Sequence, residues 1–129
     1  MSLTVSLTLL DLAQAGTMRQ SDFLDCIKDS LPYAWQLIEE LARRLKQSEV
    51  TFVDNQVPPP DEQARGQLLR VLASDAMRAA LEDHFGVKLA FQNCHRVALF
   101  QKDHLGQSYE EFISSRSQIL NQKPELVDC

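Results

Sequence analysis

The chain has 129 residues, of which 44% are hydrophobic and 24% are charged. These values exclude the composition of a disordered chain, and the length suits one domain with one core. The 13 Lys and Arg residues are outnumbered by 18 Asp and Glu residues, so the net charge at pH 7 is −5. Because an acidic protein has little attraction for phosphate backbones or anionic lipid, the charge argues against nucleic acid and membrane surfaces as partners.

The cysteines and the first apolar segment indicate the cellular compartment of the protein. Cys26, Cys94 and Cys129 lack the dense, even pattern of a secreted disulfide scaffold. Residues 3–12 are fairly apolar and Ala13–Gly16 imitates a signal-peptide cleavage site, but Asp11 interrupts the segment and no basic residue precedes position 19. No apolar run reaches the length of a membrane span. The sequence therefore predicts a cytoplasmic protein.

The first 31 residues contain two predicted elements and a turn. Leucine and valine alternate with threonine and serine over residues 3–9, which predicts a strand. Residues 10–15 are predicted to form a helical turn that ends at Gly16. Ser21 or Asp22 is then predicted to cap a second helix.

The strongest helical pattern begins at a proline. Because proline is favoured at the first position of a helix, we predict a helix over Pro32–Gln47. Glu39 and Arg43, and likewise Glu40 and Arg44, are spaced to form ion pairs on its exposed side. The inward side is an apolar stripe formed by Ala34, Leu37, Ile38, Leu41 and Leu45.

The middle of the chain is predicted to contain a strand, an extended connection and two helices. Residues 50–53 are β-branched and aromatic, as expected of a strand. The proline-rich residues 54–60 form an extended connection rather than a domain boundary. A helix capped by Asp61 is predicted to run through Ala73, and the next helix to start at 74–75 and end at Gly86.

The last third of the chain changes from helical to strand periodicity. Residues 87–91 and 95–100 alternate around a polar turn, which predicts a β-hairpin. Residues 109–120 form an amphipathic helix, and residues 121–129 a polar tail. The order β-α-α-β-α-α-β-β-α predicts a single α+β domain over residues 1–129. It would have a mainly antiparallel sheet of about three or four strands packed by about five helices.

Motifs of catalysis and cofactor binding are missing from the sequence. The four glycines lie at least 20 residues apart, so neither a dinucleotide-binding nor a phosphate-binding loop is present. No serine lies in a G-x-S-x-G context. We therefore predict a non-enzymatic protein without cofactor or metal. A small-molecule enzyme would require polar groups that converge in a pocket, which the sequence does not reveal.

The alternative hypothesis is a thiol- or metal-linked sensor. Cys94 and His95 are adjacent, and His84, His104 and Cys129 are found in the same part of the chain. Zinc ligands are usually paired at C-x2-4-C or H-x3-5-H spacing, and no such pair occurs. Adjacent strand residues also point to opposite faces, so Cys94 and His95 are not expected to share an ion.

Protein binding is the predicted function. Basic residues on the hairpin and nearby aromatic residues favour an extended acidic and apolar peptide, added as a strand or held in a groove. The alternative interpretation is that the aromatic residues belong to the core and that the charges cover a solvated hairpin face. The candidate binding residues are Tyr33, Trp35, Phe52, Phe91, Arg96 and Phe100.

Residues 54–100, together with the closing sequence ILNQKPELVDC, resemble the small accessory proteins of cyanobacteria. Among these, the sequence is most similar to the carboxysome shell-assembly chaperone family. The resemblance covers most of the chain but includes no signature motif, so no site residue is transferred from it. It implies a non-catalytic assembly factor with another protein as partner.

Overall fold

The computed structural model describes residues 2–93 and 95–122, and this part of the chain forms an α+β domain with a three-stranded antiparallel sheet, as predicted. No helix in these two ranges is long and apolar enough to cross a bilayer. The helices are α1 (Leu7–Ala15), α2 (Gln20–Ser30), α3 (Pro32–Gln47), α4 (Glu62–Leu72), α5 (Asp75–Phe85), α6 (Gln107–Phe112) and α7 (Ser115–Leu120). The strands are β1 (Phe52–Asp54), β2 (Val87–Gln92) and β3 (Arg96–Gln101), and a 3-10 turn follows at Lys102–His104.

The predicted hairpin is confirmed, but its second strand lies in the centre of the sheet. The strand order is β1-β3-β2, with Leu99 opposite Val53 on one side and Leu89 on the other. Both pairings are antiparallel. β1 and β2 are therefore the two edge strands.

The larger core lies between one face of the sheet and helices α2 to α5. Period-2 alternation turns Val87, Leu89 and Phe91 of β2 toward this face, as predicted. Val97 and Leu99 of β3 lie there as well and are fully buried. The helices contribute a larger set that includes Ile27, Leu31, Ala34, Ile38, Leu41, Leu45, Leu68, Val71, Met77 and Leu81.

The opposite face of the sheet is covered by the C-terminal helices. Ala90, Ala98 and Phe100 form a smaller core with Phe112 of α6, and Phe52 packs at its margin. The ring centres of Phe52 and Phe100 are stacked 4.9 Å apart. Both faces of this small sheet are therefore used.

The predicted N-terminal strand is wrong, because residues Leu7–Ala15 form helix α1. The Ser6 hydroxyl accepts a hydrogen bond from the Leu9 amide at 3.1 Å and caps the helix. The helix ends at Gly16 with φ +73°, as predicted for its end. The leucine alternation did not decide the structure because α1 buries none of its residues, so no sheet face selected the strand.

The prediction of a single C-terminal helix over residues 109–120 is also wrong. α6 and α7 are separate, and Ser114 lies between them. The Ser114 hydroxyl donates to the Glu111 carbonyl at 2.6 Å and accepts from the Ser117 amide at 3.1 Å. This side chain ends one helix and starts the next. Most of the predicted polar tail, residues 123–129, lies outside the described residues.

The predicted limits of the central helices are confirmed to within one residue. The Asp61 carboxylate accepts from the Ala64 amide at 2.7 Å at the start of α4. The Ser74 hydroxyl caps α5, which ends at Gly86 with φ +66°. Helix α3 covers Pro32–Gln47 as predicted.

A side chain of α4 caps helix α3. The Gln67 amide oxygen accepts hydrogen bonds from the backbone amides of Tyr33 at 2.7 Å and Ala34 at 3.3 Å. Amide groups in the first turn of a helix have no partner within the helix. Gln67 therefore fixes the start of α3 relative to α4.

Replacing Gln67 by alanine is expected to lower the free energy of unfolding by about 1 kcal/mol, the usual cost of losing a helix cap. Gln63, an exposed residue of α4 one turn earlier, provides the matched control. Its replacement by alanine should change stability by less than about 0.5 kcal/mol. Urea denaturation of the two variants measures the difference, and equal losses would contradict the capping role.

Candidate functional site

The outer edge of β1 is the open edge of the sheet. The Asn55 amide donates to the Val97 carbonyl at 3.3 Å, and the Gln101 amide donates to the Thr51 carbonyl at 3.4 Å. Because residues of an antiparallel ladder alternate, the backbone groups of Phe52 and Asp54 point away from β3. Within residues 2–93 and 95–122, their amides and carbonyls make no hydrogen bond.

At the opposite edge of the sheet, a side chain occupies one of the outward backbone amides. The Leu89 amide on the outer side of β2 donates to the Glu82 carboxylate of α5 at 2.8 Å. The Lys88 ammonium lies 3.4 Å from the same carboxylate oxygen. A side chain bonded to the backbone hinders a further strand from pairing at Leu89.

A cleft of about 650 Å³ runs along the open edge, between β1 and the end of α3. A second cleft of about 340 Å³ adjoins it, and Arg44 and Gln56 line both clefts. We call them the edge cleft and the Tyr33 cleft. The edge cleft is lined by Arg44, Gln47, Ser48, Val50, Phe52, Val53, Asp54, Gln56 and Arg96. The Tyr33 cleft is lined by Tyr33, Gln36, Leu37, Glu40, Leu41, Arg44, Asn55, Gln56 and Val57.

The candidate residue Arg96 is held by an ion pair inside the protein. Its Nε and Nη2 donate to one Asp54 carboxylate oxygen at 2.8 and 2.5 Å. Its Nη1 donates to the Gln92 side-chain oxygen at 2.9 Å. The side chains of Arg96 and Asp54 are only 26% and 12% exposed. The charge of this arginine is thus already neutralised, and the pair joins β1 to β3.

The same group of polar side chains anchors the C-terminal helices. The guanidinium carbon of Arg96 lies 4.8 Å from the ring centre of Phe112. The fully buried Gln92 donates to the Phe112 carbonyl at 3.0 Å and to the Ser117 hydroxyl at 2.7 Å. Arg96 therefore supports the floor of the edge cleft and the packing of α6.

The candidate aromatic residues occupy different environments. Trp35 and Phe100 are buried, with Trp35 only 6% exposed and 5.5 Å from the ring of Phe85. Phe52 is half-buried at the margin of the edge cleft, and Phe91 is half-buried on the other face, which places these two apart. Of the six candidates, the structure brings Phe52 and Arg96 together in one cleft.

Tyr33 is half-buried in the neighbouring Tyr33 cleft. Burial raises the pKa of its hydroxyl above the usual value, and the nearby Asp61 carboxylate adds to the increase. The phenol therefore stays neutral at physiological pH and offers a hydrogen-bonding group beside an apolar wall.

Sequence reasoning missed Arg44 and the backbone edge itself. Arg44 was predicted to pair with Glu40, but Glu40 instead lies 3.7 Å from Arg43. Among the described residues, Arg44 makes no ion pair. The signal in the sequence was the Glu39-Glu40 and Arg43-Arg44 doublets, which allow an i,i+3 pair as well as the i,i+4 pairs.

The sensor hypothesis depends partly on residues outside the description, because Cys94 and Cys129 are not among them. Within residues 2–93 and 95–122, no group of three or more His, Cys, Asp or Glu side chains is placed to hold a metal. His84 packs against the rings of Trp35 and Phe85 at 5.6 and 4.7 Å. This hypothesis stays a prediction.

The comparison with protein families gives the affiliation of the chain. A model of the family described as "NucS shadow ORF", whose short name also carries the letters KH, matches residues 1–129. Because the match covers the whole sequence, the chain belongs to this family. No curated protein and no solved structure matches it.

This finding corrects the resemblance drawn from the sequence. The family is not that of the carboxysome shell-assembly chaperone, and no link to cyanobacteria is shown. The resemblance rested on a general likeness of residues 54–100 and of the closing sequence, without a signature motif. Such a likeness does not separate one small acidic α+β protein from another.

Proposed function

We propose that this protein is a non-catalytic binding protein that adds an extended segment of another protein as a fourth strand along β1. The observation that carries the proposal is the unpaired outer backbone of Phe52 and Asp54, next to the edge cleft of about 650 Å³. In strand addition, backbone hydrogen bonds provide affinity and neighbouring pockets provide specificity.

The asymmetry of the sheet supports this location. Proteins usually protect an exposed strand edge, and at β2 Glu82 occupies the outward amide of Leu89 in the middle of the strand. The edge of β1 has no such side chain among the described residues, and its backbone is instead bordered by a cleft. β1 is short, but the bonds of Thr51 and Asn55 to β3 extend the ordered backbone by one residue on each side.

The choice of a protein partner rather than a nucleic acid rests on charge and on sequence. KH is also the name of a module that grips four nucleotides with a G-x-x-G loop. The glycines of this chain are Gly16, Gly66, Gly86 and Gly106, so no two are three residues apart. The net charge of −5 also disfavours phosphate backbones. The cytoplasmic location stays part of this proposal.

The test uses selection from a library of random peptides of roughly ten residues, a length that spans one added strand. Asp54→Pro removes the outward amide, whereas the control Asp54→Ala removes the same carboxylate and keeps that amide. Proline is tolerated where the amide of an edge strand faces outward. We expect selected peptides to bind Asp54→Pro about five- to tenfold more weakly than Asp54→Ala, the effect of one lost backbone hydrogen bond.

A second measurement does not depend on the variants. Adding a selected peptide to the unmodified protein should slow hydrogen exchange at the amides of Phe52 and Asp54. The proposal is overturned if no peptide is selected, or if peptides bind without slowing these two amides. Binding of single-stranded RNA without any peptide binding would assign the site to nucleic acid instead.

A further inference from the structure

We infer that Arg44 selects the segment bound at β1 by pairing with an acidic side chain, so that the partner segment alternates acidic and apolar residues. This inference rests on the proposed function and names the chemistry of its partner. It concerns a residue of α3, an element separate from the strand edge.

The first step is the charge of the clefts. Arg96 is neutralised by Asp54, and Glu40 of the Tyr33 cleft is paired with Arg43. Arg44 is exposed and, among the described residues, has no ion-pair partner. Among the described charged residues that line the two clefts, Arg44 is therefore the one without an ion-pair partner, in a protein whose net charge is −5. A local charge of opposite sign to the whole protein favours an anionic group at this point.

The second step is the position of Arg44. It lies in the last turn of α3 and lines both the edge cleft and the Tyr33 cleft. A strand added beside β1 has side chains that alternate between the two faces of the sheet. Since α3 packs on one face, every second side chain of the added strand points toward the end of α3. Arg44 is within this region, and its planar guanidinium suits a carboxylate.

The third step is the apolar surface on either side. Val50 and Val57 are 44% and 76% exposed and lie at the two ends of the open edge. Phe52 lies on the opposite face from α3, in contact with Phe100. Side chains of the partner that point toward Phe52 are therefore expected to be apolar, and those that point toward Arg44 acidic.

The test reverses charges at the end of α3. Arg44→Glu places a negative charge in both clefts, whereas Lys46→Glu makes the same change in the same helical turn at a residue that lines neither. Selected peptides should contain an acidic residue and bind Arg44→Glu at least about tenfold more weakly than Lys46→Glu at low salt. A peptide with its acidic residue changed to lysine should bind Arg44→Glu more tightly than the unmodified protein.

The outcomes separate this inference from the proposed function. If peptides bind Asp54→Pro more weakly than Asp54→Ala but bind Arg44→Glu and Lys46→Glu with equal affinity, the proposed strand addition is retained. The inference that Arg44 selects the segment is then wrong. Selected peptides without acidic residues would also contradict the inference about Arg44 and leave strand addition unaffected. If peptides also bind Asp54→Pro and Asp54→Ala with equal affinity, both strand addition at β1 and selection by Arg44 are wrong. Rescue by the lysine peptide is a readout that mere loss of helix stability would not produce.

Discussion

Replacing Phe100 by alanine is expected to lower the free energy of unfolding by about 4 kcal/mol, the cost of emptying a well-packed aromatic site. Phe100 is 1% exposed, and its ring stacks on Phe52 at 4.9 Å. It also contacts the rings of Tyr109 and Phe112 edge-on, at 5.2 and 5.8 Å. Truncation leaves a cavity that these three rings cannot all move to fill. Urea denaturation measures the loss.

The location of Phe100 adds a regional effect to this prediction. Hydrogen exchange should accelerate first in α6 and α7, because Phe112 loses a principal contact with the sheet. Ile38→Ala is the control, since Ile38 is fully buried in the core on the other face. It should cost about 2–5 kcal/mol without a selective effect on α6. Equal acceleration in both variants would mean that the two faces do not open separately.

Replacing Arg96 by alanine is expected to cost about 3 kcal/mol of unfolding free energy. The substitution leaves the Asp54 carboxylate, only 12% exposed, and the fully buried Gln92 oxygen without their donor. An uncompensated buried charge is more costly than the pair it replaces. The contact of the guanidinium with the Phe112 ring is lost as well. Thermal and urea unfolding of the variant both report the loss.

The double variant Asp54→Ala with Arg96→Ala separates the ion pair from the packing. Because both charges are removed together, it should be less destabilised than the sum of the single variants, by about 1 kcal/mol or more. Additive losses would show that the pair contributes little and that the arginine acts through packing on Phe112. Asp54→Ala is also the control in the peptide experiment, so its stability is needed for both tests.

The order and type of the central elements could be predicted because local signals agree with the tertiary structure. Pro32 starts α3, and Asp61 and Ser74 cap α4 and α5. Val87, Leu89 and Phe91 of β2 alternate along the sequence because they face the larger core. At the N-terminus, the local sequence pattern and the tertiary structure do not agree. The alternation of residues 3–9 suits a strand, but no strand pairs with it and the cap at Ser6 prevails.

The site was less predictable than the fold because it depends on which strand is central. Pairing of β1 with β3 encloses Phe100 and draws Arg96 onto Asp54, 42 residues earlier in the chain. No local pattern in the sequence specifies a contact at that distance. The same pairing determines that the open edge belongs to Phe52 and Asp54 rather than to the hairpin. Among the aromatic candidates, Phe52 therefore lies on the open edge strand β1.

The carboxylate of Glu82 on the Leu89 amide limits how many molecules can associate through their sheets. A molecule with two usable edges is divalent, and repeated edge-to-edge contact would let it grow into an open-ended fibre. With the Leu89 amide occupied, a strand added along β2 would lose a backbone hydrogen bond in the middle of the strand. Edge-to-edge growth through β2 is therefore disfavoured, while the outward amides and carbonyls of β1 stay unpaired among the described residues.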